Sequence, residues 1–168
     1  MKRIISIASI CLCGVACSAN DMVRATLEPS TNRAGVFTIH VTNVSSNAIR
    51  FLDIREGIGW CGEFYEVTIE KDGKKHKSEG NCFYASGDEP FIVALAPGKT
   101  YQRDIQPVAY ARSEKHMVPP CDVTVTYRVT SKIKEMWRAR ATEVDLDLSF
   151  ETNKARIETS NKGVQATR

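Results

Sequence analysis

Asp122-Val123-Thr124-Val125-Thr126-Tyr127-Arg128-Val129 is the stretch that decides the fold. Val123, Val125, Tyr127 and Val129 share one side of an extended chain, and Asp122, Thr124, Thr126 and Arg128 share the other. Period two with one apolar face means a half-buried strand. The same pattern recurs on both sides of it. Phe37, Ile39 and Val41 alternate with Thr38, His40 and Thr42, a short run covers 48–54, and Tyr65, Val67 and Ile69 form the next face. Lys71-Asp72-Gly73-Lys74 ends that face, and its Asp-Gly pair tolerates the positive φ of a two-residue hairpin turn, so a return strand is expected through 75–77. Phe91, Val93 and Leu95 lead into the corner Ala96-Pro97-Gly98-Lys99, and Tyr101, Arg103 and Ile105 follow. A last strand is expected over 144–151, where Val144, Leu146, Leu148 and Phe150 alternate with Asp145, Asp147, Ser149 and Glu151. Only 132–140 reads as a helical turn. Together these predict an all-β, antiparallel immunoglobulin-like β-sandwich of about seven to eight strands.

A chain of 168 residues with 42% apolar and 26% charged content suits one globular domain and excludes a disordered polyelectrolyte or a membrane bundle. The formal charge of +3 is unevenly spread. Lys2 and Arg3 supply +2, and Lys154, Arg156, Lys162 and Arg168 against Glu158 supply +3, which leaves −2 for 20–153. Without a basic face, the domain is not expected to bind nucleic acid. The tail 154–168, with little apolar content, is expected to be disordered.

Lys2-Arg3 precede an apolar run from Ile4 to Ala16 that is too short to cross a bilayer, as in a bacterial secretory signal over 1–19. Gly14-Val15-Ala16-Cys17 resembles a lipoprotein signal box with Cys17 as the lipid anchor, although Gly14 replaces the usual Leu. Ala19 offers a soluble cleavage point, and both alternatives stay open. Either way the expected location is the periplasm or outer membrane, with membrane contact only through that anchor. Oxidising conditions there favour pairing of Cys61 with Cys82, closing a loop of 22 residues counted inclusively and contributing about 3 kcal/mol if unstrained. Cys121 is then left over, and reads as a buried small hydrophobe.

The order of segments carries a family resemblance. Phe37-Thr38-Ile39-His40-Val41-Thr42-Asn43-Val44-Ser45, Ile49-Arg50-Phe51-Leu52, Phe64-Tyr65-Glu66-Val67 with its Lys-Asp-Gly-Lys hairpin, Ala94-Leu95-Ala96-Pro97-Gly98-Lys99 and Val123-Thr124-Val125-Thr126-Tyr127 follow one another. This order resembles the β-sandwich region ahead of the catalytic domain in bacterial deuterolysin-type peptidyl-Lys metalloendopeptidases. The resemblance spans roughly one sandwich domain and implies a fold and an exported setting. It does not carry the protease activity, because the chain holds no His-Glu-x-x-His.

Chemistry is sparse along the chain. His40 lies on a polar strand face, His76 beside a hairpin turn and His116 in a loop, and there is no nucleophile elbow or glycine-rich phosphate loop. Neither catalysis nor a cofactor is expected, and the spacing of Cys61, Cys82 and Cys121 fits no short-paired zinc pattern. Two loops are candidates for partner binding. Glu56-Gly57-Ile58-Gly59-Trp60-Cys61-Gly62 offers Ile58 and Trp60 on a glycine-freed backbone, with Trp60 either meeting a partner or covering the sandwich end. The second is 110–120, with Arg112 and His116 in a polar middle. The basic stretch 132–140 lies either on anionic lipid or across the fold with Trp137 turned back. The expected function is a non-enzymatic interaction module whose partner is a protein. The alternatives are an inhibitor or immunity protein against an exported hydrolase, and a metal-binding or enzymatic domain.

Overall fold

The computed structural model describes residues 22–30, 36–53, 64–77, 90–106, 120–158 and 165–167. Its strands in chain order are β1 Val23–Pro29, β2 Phe37–Asn43, β3 Ile49–Asp53, β4 Tyr65–Lys71, β5 Lys74–Lys77, β6 Phe91–Leu95, β7 Thr100–Ile105, β8 Cys121–Tyr127, β9 Phe150–Glu151, β10 Ala155–Glu158 and β11 Gln165–Thr167. Among the described residues one helix, α1 (Ser131–Met136), runs into a 3-10 turn at Arg138–Arg140. Every described pairing is antiparallel. The protein is all-β.

The strands form three sheets, ordered β1-β2-β7, β3-β6 and β11-β10-β8-β4-β5, with β9 also on β8. Alternation along each strand explains why the sheets meet. Phe37, Ile39 and Val41 of β2, Tyr65, Val67 and Ile69 of β4, and Val123, Val125 and Tyr127 of β8 are all buried, while the residues between them are half-exposed. Their inner rows join one core. Tyr127 is at its centre, stacked on Phe150 with ring centroids 4.8 Å apart and edge-on to Phe51 at 5.7 Å. Such aromatic pairs are worth about 0.5–1.5 kcal/mol beyond the area they bury. The Tyr127 hydroxyl donates to the Leu52 carbonyl at 2.8 Å, so its polar end is satisfied within the core.

Side chains stitch the sheets together where backbone ladders stop. Asn43, fully buried at the end of β2, donates through Nδ2 to the Leu95 and Asn47 carbonyls at 2.8 Å each. Thr152 exchanges bonds with Val125 on β8, its N–H donating to the carbonyl and its Oγ1 accepting from the amide. The next residue turns to β1: Asn153 accepts the Leu27 N–H through Oδ1 at 2.7 Å and donates to the Leu27 carbonyl through Nδ2 at 3.3 Å.

The turns follow the sequence reading. Asp72 and Gly73 both take positive φ, 50° and 72°, which gives the two-residue hairpin between β4 and β5. Gly98 at φ 71° closes the Pro-Gly corner, where the Lys99 N–H donates to the Ala96 carbonyl. The helical turn forms, and Trp137 folds back half-buried against the core. Cys121 is buried with a free thiol.

Three expectations are corrected. The sequence reading places no strand before Val36, yet β1 pairs with all of β2, from Val23 opposite Asn43 to Pro29 opposite Phe37. The strand expected over 144–151 is reduced to Phe150–Glu151. Its acidic residues bond locally: Asp145 Oδ1 accepts the Asp147 N–H, and the Asp145 carbonyl accepts the Leu148 N–H, a turn that competes with ladder formation. Val144, Leu148 and Phe150 are nonetheless buried. The tail expected to be disordered from 154 instead contributes β10, whose Ala155 and Ile157 pair opposite Val123 and Cys121 and are buried, and β11 pairs with β10 in turn. Unoccupied, that edge of β8 would leave backbone groups without ladder partners.

Candidate functional site

Each sheet brings a polar group to one place. The inner row of β3 runs Ile49, Phe51, Asp53, so its last side chain is a carboxylate aimed into the core and fully buried. The row of β7 that ends in buried Ile105 holds Tyr101 and Arg103, and β4 opens with Tyr65. A buried carboxylate requires donors. Arg103 Nη1 donates to Asp53 Oδ1 at 2.7 Å, while the hydroxyls of Tyr101 and Tyr65 donate to Oδ2 at 2.7 and 3.1 Å. The Arg103 guanidinium also lies over the Tyr65 ring, 5.1 Å from its centroid. One carboxylate thus ties together strands of all three sheets.

The protonation states fit holding. Burial first and the Asp53 charge second push the phenols of Tyr65, Tyr101 and Tyr127 above their ordinary range. They therefore remain hydrogen-bond donors at neutral pH. What the arrangement does is fix the described residues on either side of 54–63. Asp53 is the last described residue before 54–63, and Phe64 and Tyr65 are the first after it. Just after 54–63, the Arg128 N–H donates to the Phe64 carbonyl at 2.8 Å. Asp53 is also in register with Phe91, the first residue of β6, so the described chain resumes after 78–89 beside the same carboxylate.

Ile58, Trp60 and Cys61 lie in 54–63, Cys82 in 78–89, Arg112 and His116 in 107–119 and Cys17 in 1–21, all outside the described residues. His40 is half-exposed on β2, in register with Thr26 and Gln102, and His76 sits on β5 opposite Ile69. The Asp53 cluster was not among the sequence candidates. A signal for it exists, because Asp53 and Arg103 are charged residues at inward positions of otherwise apolar alternation. A second feature is an open groove of about 820 Å³ between α1 and 144–147, lined by Lys134, Glu135, Arg138, Asp145 and Asp147 among others. Its charges are mixed, and Lys134 is paired with Asp147 across it. Among the described residues no group of three His, Cys, Asp or Glu side chains is placed to hold a metal, and no helix is long and apolar enough to cross a membrane. No family model, curated protein or solved structure matches the chain.

Proposed function

We propose that this protein is an exported, non-enzymatic immunoglobulin-like interaction module of the bacterial envelope, which presents loops 56–62 and 110–120 to a protein partner. The observation that carries this reading is the Asp53 cluster. A carboxylate, an arginine and two phenols bond to one another beside the described residues that flank 54–63, and they join strands of three sheets there. Recognition loops work when a rigid scaffold fixes their ends, because ordering is then largely complete before contact. Lys2-Arg3 and the apolar run behind them support export, and the resemblance of the segment order to a protease-associated sandwich favours an exported hydrolase as the partner.

Affinity capture from envelope extract with the mature protein tests the proposal, alongside the Trp60→Ala and His116→Ala variants. One partner retained by the parent and lost with either variant is the expected result. Equal recovery by all three removes both loops. Turnover of a substrate by the pure mature protein removes the non-enzymatic reading.

A further inference from the structure

The outer face of the large sheet is zipped by acid–base pairs that cross from strand to strand. Glu66 on β4 binds Lys77 on β5 at 2.8 Å and Arg128, just past β8, at 2.6 Å. Glu70 on β4 binds Lys154 at 2.7 Å, and Asp122 on β8 binds Arg156 on β10 at 3.2 Å. These three carboxylates are therefore already matched.

At β5 the pattern ends on cations. Lys74, Lys75 and Lys77 are exposed, and Lys71, Lys74 and Lys75 make no ion pair among the described residues. β5 is the last strand of its sheet, and among the described residues nothing pairs with its outer edge. Register fixes what that edge presents. Lys71 lies opposite Lys74 across the two-residue turn, so that pair and Ile69–His76 hold the hydrogen-bonded positions. The N–H and C=O groups of Lys75 and Lys77 then point outward. Their side chains stand on the same face as Glu66, Thr68 and Glu70, where the acid–base pairs run.

We infer that β5 is a docking edge for an acidic, extended segment of a partner protein, which adds as a further strand and sets its carboxylates beside Lys75 and beside Lys77, whose acceptor Glu66 is also held by Arg128. Backbone bonds to the edge would supply the hold and alternate carboxylates the selection, as in other strand-addition complexes. Lysines on an edge also keep sheets from joining edge to edge. Here the two effects agree, because like charge repels a second copy of β5 while opposite charge admits an acidic strand. The inference rests on the described residues of β4 and β5 alone, so it stands or falls independently of the proposed recognition loops.

The test titrates full-length mature protein, labelled for backbone amide resonances, with a short peptide of alternating Glu and Thr. Three further arms use the Lys-for-Glu counterpart, the acidic peptide N-methylated at alternate backbone amides, and anionic phospholipid vesicles. Shifts centred on the Lys75 and Lys77 amides with the acidic peptide alone are expected. Reversing one exposed charge, Lys75→Glu, should weaken binding about fivefold. Equal binding of the basic or the N-methylated peptide overturns strand addition, and so does an undiminished affinity in Lys75→Glu. Vesicles that reproduce the same amide shifts assign the edge to anionic lipid and overturn the protein partner.

Discussion

Replacing Asp53 by alanine should be among the most damaging single changes in the core. The carboxylate is fully buried, and the Arg103 side chain that binds it at 2.7 Å is only 11% exposed. Removing one member of a buried ion pair costs about 3–5 kcal/mol, because the remaining charge stays desolvated without its counter-charge. The buried Tyr65 hydroxyl also loses its acceptor, a penalty of about 1–3 kcal/mol, whereas Tyr101 is half-exposed and can turn to water. These penalties overlap, since water entering the vacated space would relieve both, and about 4 kcal/mol is the expected loss. A domain of this size has only about 5–15 kcal/mol in total. With a urea dependence of about 2 kcal/mol per molar, the unfolding midpoint should fall by about 2 M. Arg103→Met and the Asp53→Ala/Arg103→Met double variant complete a cycle in which the double change should cost less than the sum by about 2 kcal/mol. A midpoint shift below about 0.5 M, or strict additivity, would refute the view that this pair fastens the three sheets.

Alkaline titration should be cooperative. The phenols of Tyr65 and Tyr127 are raised by burial, so the folded state retains protons that the unfolded chain releases near pH 10. Their contribution to stability is therefore complete below about pH 10 and declines above it, and phenolate absorbance should appear together with loss of the fold. Ionisation of all tyrosines before unfolding would contradict this. Truncation after Lys154 should destabilise the protein measurably in a thermal melt, because it removes buried Ala155 and Ile157 and bares an edge of β8; an unchanged melting temperature would make β10 dispensable. Non-reducing peptide mapping of the protein produced in an oxidising compartment should recover Cys61 linked to Cys82, with Cys121 as a thiol; a Cys121 link to either would overturn the pairing.

The parts of the fold legible in the sequence are those governed by nearest neighbours. Period-two alternation locates β2, β4 and β8, and the Asp-Gly pair fixes the hairpin turn, since both need only local sterics and one buried face. β1 escapes such reading because its inward row, Val23, Ala25 and Leu27, holds one large residue and ends at Pro29. The stretch 144–148 misleads for the opposite reason: the alternation is present, but Asp145 bonds to its own neighbours before a ladder can form. Asp53 is least legible, since its partners lie 12, 48 and 50 residues away and no window of sequence contains them together.

The amide of Asn153 treats Leu27 as a neighbouring peptide would, although 126 positions separate them. A nascent chain therefore cannot cap the outer edge of its first strand at Leu27 until Asn153 has been made. Any fragment stopping short of that asparagine would display a bare backbone rim, open to whatever extended polypeptide is nearby. Closing that rim is consequently a late step, set by how far the contact reaches along the chain rather than by either strand's own propensity.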